Sequence, residues 1–332
     1  MKNRCTITFL LALPFALVCF VELPIRSSAQ ENAVHEKIII DTDIGGDIDD
    51  TFAVGLALES PEFEILGISS ATGDASLRAR LLSRYLKETG NAHIPVAVGI
   101  TKPDVKPGAG LSQGAYALGG PADAKYPNAV DFLFDEIRRY PGEVTLIAIG
   151  PLTNIGAAID RDEATFRKLK RVVIMGGSVD RGYDFGLFGV NSKPSAEYNI
   201  KADIPAAQKL FRAGVPLYVM PLDSTQIKLQ EVRRAQLVSR GTPITDAITL
   251  MYCQWSENCT GTPTLFDPVA VAYAIRPDLC PATPLHLDVD DKGFTLAVPG
   301  EPNGQVCLKS DSEKFLDFLM ERLLRGPSNA KP

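Results

Sequence analysis

Six short runs of β-branched and aliphatic residues recur along the chain, at 37–40, 65–69, 96–98, 144–149, 172–175 and 215–220. Segments with helical apolar spacing lie between them, at 52–58, 77–86, 130–138, 155–159 and 206–211. A strand that is apolar on both faces has no wet side and must be covered twice, and the alternation of strand and helix provides that cover. The pattern therefore predicts an α/β fold: an open, doubly wound, mostly parallel sheet with helices on both faces. Beyond residue 230 the pattern changes to helical stretches at 231–238, 244–255, 269–275 and 314–324, with hairpin-like strands near 295–298 and 306–309. This part reads as a helical C-terminal cap that supplies late site residues. In such sheets ligands bind beyond the carboxyl ends of the strands. Polar or glycine-rich clusters fall there, at 41–50, 72–74, 150–154, 176–178 and 221–224.

The first of these clusters is the most unusual. Directly after Ile38, Ile39 and Ile40 come Asp41, Asp43, Asp47, Asp49 and Asp50, set around Gly45 and Gly46. Two carboxylates roughly 5 Å apart repel by about 3 kcal/mol at an effective dielectric near 20, so several on one turn raise one another's pKa unless a cation intervenes. The cluster predicts a hard divalent metal, Ca²⁺ or Mg²⁺, because zinc would bring histidine or cysteine. An EF-hand loop would need Asp or Asn at Gly45 and Glu at Phe52, and has neither. Asp49 and Asp50 are expected in the first turn of the next helix, where the dipole favours anions. Asp47 and Asp50, three apart, also read as a helix N-cap pair.

Residues 1–29 carry Lys2 and Arg4, an apolar stretch, and small residues before Gln30, the pattern of a secretory signal peptide. Residues 30–332 then form one α/β domain, expected to be secreted or periplasmic. Removing the leader leaves Cys253, Cys259, Cys280 and Cys307, an even number in a compartment that permits disulfides. Cys253 with Cys259 and Cys280 with Cys307 are the natural pairs by sequence, with two other connectivities open. A net charge of −6 without a basic block gives no footprint for nucleic acid. A small-molecule substrate fits better.

The segment DTDIGGDIDDTFAV at 41–54 resembles the DxDxGxDD signature of nucleoside hydrolases, with two additional residues in the loop. GPLTNI at 150–155, VIMGGS at 173–178, SAEYNIKAD at 195–203 and FDPVAVAY at 266–273 match that family in order. The resemblance implies a Rossmann-like fold with one Ca²⁺ at the bottom of a ribose pocket, and hydrolysis of ribonucleosides to free base and ribose. By position in the motifs, Asp43 is both metal ligand and general base. Asp50 binds the metal bidentately, Thr153 lends its backbone carbonyl, and Asp267 closes the shell. Asp49, Asn191, Glu197 and Asn199 carry over as sugar-binding residues. Glu197 and Asn199, two apart, would share one face of an extended segment, with Tyr198 turned away or packed nearby. The resemblance also implies a homodimer or homotetramer.

Two departures stand out. Asp74, in ATGD, replaces an asparagine common in the family, and is expected as a substrate contact at the site rim. Phe266 stands where purine-cleaving members carry a histidine for leaving-group protonation, and the mature chain has only His35, His93 and His286. Tyr183, Phe185, Phe188, Tyr252 and Trp255 are candidate aromatic walls for a nucleobase. If Cys253 and Cys259 are bridged, their loop would hold Trp255 over the mouth. A secreted nucleoside- or sugar-binding protein that has lost hydrolysis is the alternative, although a binder has no need of Asp43. A phosphotransferase of the haloacid-dehalogenase type, built on Asp41 and Asp43, leaves the later motifs without a place.

Overall fold

Strand β1 (Glu36–Thr42) is built on three consecutive isoleucines whose side chains alternate between two cores, Ile38 and Ile40 entering one and Ile39 the other. The same alternation recurs in β4 (Thr145–Ala148), where Ile147 faces the first core and Leu146 the second. In β5 (Arg171–Met175) Val173 and Met175 face one core while Val172 and Ile174 face the other. A strand's period of two thus divides each apolar run between two helical layers. The computed structural model describes residues 35–101, 106–184 and 193–326, which all belong to one compact unit. The expected leader at 1–29 lies outside the described residues.

With β2 (Phe63–Ser70), β3 (Val96–Ala97), β6 (Leu217–Met220), β7 (Thr283–Leu285) and, late in the chain, β10 (Gly304–Val306), these strands make an eight-stranded sheet of order β3-β2-β1-β4-β5-β6-β10-β7. All neighbouring pairs are parallel except β10 with β7. The order reverses at β1, so the crossovers leaving β1 and β4 run in opposite directions and open a crevice at their carboxyl ends. Strands β8 (Leu287–Val289) and β9 (Thr295–Ala297) form a separate antiparallel pair. The expected late hairpin is therefore divided: β9 pairs backwards with β8, while β10 joins the main sheet beside β6.

Helices α1 (Asp49–Leu58) and α2 (Ala75–Glu88) cover the first face, and α3 (Gly114–Leu118) packs on α2. Helices α4 (Ala129–Arg139) and α5 (Thr153–Phe166) cover the second, together with α7 (Ile204–Arg212), which follows the single turn α6 (Tyr198–Lys201). After the short α8 (Leu222–Thr225) come α9 (Glu231–Arg240), α10 (Pro243–Trp255), α11 (Pro268–Ile275) and α12 (Ser312–Leu323). These four join α1 and α2 in the first core, so the C-terminal helices complete one face of the sheet. Disulfides Cys253–Cys259 and Cys280–Cys307 close as the sequence pairing anticipates. No described helix is long and apolar enough to cross a membrane.

Candidate active site

The loop leaving β1 turns through Gly45, whose φ of +107° suits glycine, and enters α1 at Asp49. Gly150, at the end of β4, lets this loop approach closely, since a Cβ there would stand 2.8 Å from Asp43 Oδ1. Asp43 is thereby held at the crevice between β1 and β4. The carboxylates of Asp49 and Asp50 project from the first turn of α1. The expected N-cap pair is not formed: Ile48 occupies the N-cap position, and Asp47 Oδ1 accepts from the Ile48 amide at 2.7 Å. Asp41 turns the other way. Its Oδ1 accepts from Ser69 Oγ and from Asn154 Nδ2, tying β1 to β2 and α5, and it does not line the cavity at this crevice.

A cavity of about 320 Å³ opens at this crevice. Its described lining includes Asp43, Asp47, Asp49, Asp50, Arg78, Glu197, Asn199 and Asp267, with Ile149, Met175, Tyr183, Tyr198, Leu222 and Phe266 as apolar and aromatic walls. Asp267 comes from the start of α11, and its backbone amide approaches Asp49 Oδ2 at 3.4 Å across 218 positions of sequence. One carboxylate oxygen from each of Asp49, Asp50 and Asp267 lies within 4.8 Å of the others. Thr42 Oγ1 donates to Asp50 Oδ1 at 2.5 Å and steadies it from the end of β1.

Glu197 accepts from three backbone amides: Gly177 at 3.0 Å, Asn199 at 2.9 Å and Ile200 at 3.1 Å. It is the N-cap of α6, so the expected extended segment is one helical turn. Glu197 and Asn199 nevertheless both line the cavity, and the intervening Tyr198, 58% exposed, lines it too. Asn199 Nδ2 donates to Met175 O at 3.1 Å, which fixes the amide against the end of β5. Asp223 on α8 accepts from the amides of Val179, Asp180 and Arg181, and so braces the segment that carries Tyr183. The Tyr183 hydroxyl accepts from the Tyr198 amide at 2.9 Å, and its ring meets that of Phe266 edge-on.

Burial raises Asp43, opposed by the Arg78 guanidinium and reinforced by Asp47. Burial, and then repulsion from neighbouring carboxylates, hold Asp49, Asp50 and Asp267 well above the usual carboxylate range. The Asp49 and Asp267 carboxyls face each other closely enough that each opposes ionisation of the other. Glu197 is pushed up to about 7 by burial, against the pull of its three amides. The donor set around the three aspartates is oxygen-only, closely spaced and anionic, and it fits a hard cation.

Other expected residues fall elsewhere. Asp74 is the N-cap of α2, with Oδ1 accepting from Leu77 N and Oδ2 from Gly108 N, both at 3.0 Å, and it does not line the cavity. A side chain at that position is captured by nearby unpaired amides. Thr153 opens α5 beside the crevice but is not among the lining residues, and its Oγ1 is buried without a partner among the described residues. Tyr252 is buried, donating to Cys259 O and Gly261 O. Trp255, on the bridged loop, does not itself line the cavity. Asn191, Phe185 and Phe188 lie outside the described residues. Arg78 was not anticipated. It stands on the apolar face of α2 with Ala75, Ala79, Leu82 and Tyr85, and an arginine at helical spacing within that stripe is the signal that could have found it.

A family model for inosine-uridine preferring nucleoside hydrolases matches residues 38–317. Uridine nucleosidase 1 of Arabidopsis thaliana is 35% identical over 266 residues, covering 74% of this chain and 75% of that protein. The pyrimidine-specific ribonucleoside hydrolase RihA of Citrobacter koseri is 30% identical over 318 residues, covering 86% and 97%. Among solved structures, the plant nucleoside hydrolase PpNRh1 superposes with a TM-score of 0.74 at 26% identity, over 87% of this chain and 99% of that one.

Proposed function

Since the chain belongs to the inosine-uridine preferring nucleoside hydrolase family, whose reaction is hydrolysis of the ribonucleoside N-glycosidic bond, we propose that it carries out this reaction with calcium, outside the cytoplasm. The observation that carries the calcium reading is the convergence of Asp49, Asp50 and Asp267 at one end of a cavity that also contains Asp43. Asp43, Asp50, Asp267 and the Thr153 carbonyl are the ligands the motifs assign, and Asp49 stands close enough to contribute. When bound, the ion would grip the vicinal hydroxyls of the pentose and make a neighbouring water a better acid.

Asp43 takes the proton from the attacking water. Calcium acidifies water less than zinc does, so a carboxylate beside the water is needed to finish proton removal. With its nitrogen committed to Met175 O, Asn199 offers its Oδ1 to a sugar hydroxyl, and Glu197, immobilised by three amides, offers a second rigid acceptor. These fixed anionic groups stabilise positive charge as it develops on the sugar. Tyr183 and Phe266 flank the base, and no histidine is among the described lining residues. The two disulfides support the reading of residues 1–29 as an export signal.

Uridine is the first substrate to test, given what the Arabidopsis and Citrobacter relatives are named for. Purified protein should release uracil in calcium and stop in chelator. Asp43→Asn should lower kcat by about 10³-fold, within the range for a lost general base. Wild-type turnover in Asp43→Asn would refute the assignment of the base.

A further inference from the structure

Arg78 is the one cation among the described lining residues, and it is 4% exposed. Its Nη1 donates to the backbone carbonyls of Asp43 and Ile44, the latter at 2.8 Å. Both carbonyls belong to the loop between β1 and α1, where the backbone has left the sheet. Nη2 stands 4.0 Å from Asp43 Oδ2, beyond hydrogen-bond reach but facing the same carboxylate. We propose that Arg78 is a positioning residue for the reaction: its buried guanidinium fastens the aspartate loop through the backbone and so fixes where the Asp43 carboxylate stands. This rests on the reading of Asp43 as the base.

The surroundings support the assignment. Burying a guanidinium is costly, and although Nε is buried without a hydrogen-bond partner among the described residues, Nη1 serves two carbonyls on the loop that carries the acids. Backbone from two glycines lies near the group: a Cβ on Gly73 would come within 3.4 Å of Nη2, and one on Gly46 within 3.8 Å of Nη1. The helix bearing Arg78 is itself set by Asp74, which caps it through the Leu77 amide. Asp74 thus acts on the site indirectly, one turn before Arg78. A lysine keeps the charge but lacks the planar fork that can hold the carbonyls and face the carboxylate together.

The test uses the full protein with Arg78→Lys, Arg78→Ala and Asp43→Asn, following uridine hydrolysis, calcium binding by calorimetry on chelator-treated protein, and thermal unfolding. We expect kcat about 10²-fold lower in both Arg78 variants, the loss typical of a reacting group displaced by about 1 Å, with KM changed only a few-fold. Calcium affinity should fall about tenfold, an effect of the size seen for groups that orient metal ligands. Guanidinium ion below denaturing concentration should restore part of the turnover of Arg78→Ala and none of that of Asp43→Asn. Arg78→Lys with wild-type kcat and calcium affinity would overturn the inference. So would an Arg78→Ala defect that guanidinium leaves unchanged in a folded protein. If Arg78→Ala does not fold, Arg78→Lys carries the test. Failure of the wild type to release base would instead sink the proposed function, while the calcium titrations would still report on Arg78.

Discussion

Asp267→Asn should stabilise the metal-free protein while abolishing its response to calcium. The Asp267 carboxylate stands within 4.8 Å of oxygens from both Asp49 and Asp50, and two full charges at that distance repel by about 3.5 kcal/mol at an effective dielectric near 20. Proton uptake relieves part of this, since burial and mutual repulsion hold these carboxyls well above the usual carboxylate range, so less than one full pair is recoverable. The residue sits at the N-cap position of α11 without a side-chain capping bond, so no helix cap is lost in exchange. A gain of about 2 kcal/mol in chelator at pH 8 follows, raising Tm by about 3 °C. Calcium at a thousandfold excess over Kd should stabilise the wild type by about 4.1 kcal/mol and the variant hardly at all. The two melting curves should therefore exchange order between chelator and calcium in a scanning calorimeter. The reasoning is refuted if the variant melts below wild type in chelator and retains the full calcium shift.

Further outcomes can be checked independently. 2′-Deoxyuridine should be hydrolysed far more slowly than uridine, and equal turnover would count against a bound ion that grips both hydroxyls. Glu36 bridges β1 to β4 and β5, accepting from Thr145 Oγ1 at 2.5 Å and from Arg171 Nη2 at 2.7 and 2.8 Å. Burial raises its pKa, but Thr145, Arg171 and Lys170 outweigh that and hold it below the ordinary glutamate value of 4.5. Its stabilisation is complete above 4.5 and fades as pH falls through the lower folded value, so Glu36→Gln should cost about 2 kcal/mol at pH 7 in denaturant unfolding, a gap that closes in acid. Replacing Cys280 and Cys307 together by serine opens a link across 27 positions and should lower stability by about 3.5 kcal/mol on the chain-entropy account, read as a shift in urea midpoint.

The six strands were legible because each is a short apolar run, and a run buried on both faces admits few other interpretations. The acidic cluster was legible for an electrostatic reason, since adjacent carboxylates without cations demand an explanation. Asp267 entered only through family resemblance; nothing local to FDPVAVAY says that it meets Asp49. Glu197 and Asn199 line the cavity as the motif implies, but from a helical turn rather than an extended segment, because three amides gather on Glu197. The capping role of Asp74 was not legible, because capping is a local competition among amides that residue type does not decide. Arg78 passed unnoticed among Arg80 and Arg84 in a helix that looks basic, although its place on the buried stripe separates it from them.

The reversal of strand order at β1 divides the labour of recognition. Among the described residues, the groups assigned to the pentose hang from strand ends and first helical turns, which the sheet makes rigid, whereas the walls beside the base belong to connections such as the one after β5. Exchange of such connections can retarget the chain to another nucleobase while leaving the sugar grip intact. Diversification in this architecture is expected to proceed at the outer end of the crevice, with its floor inherited unchanged.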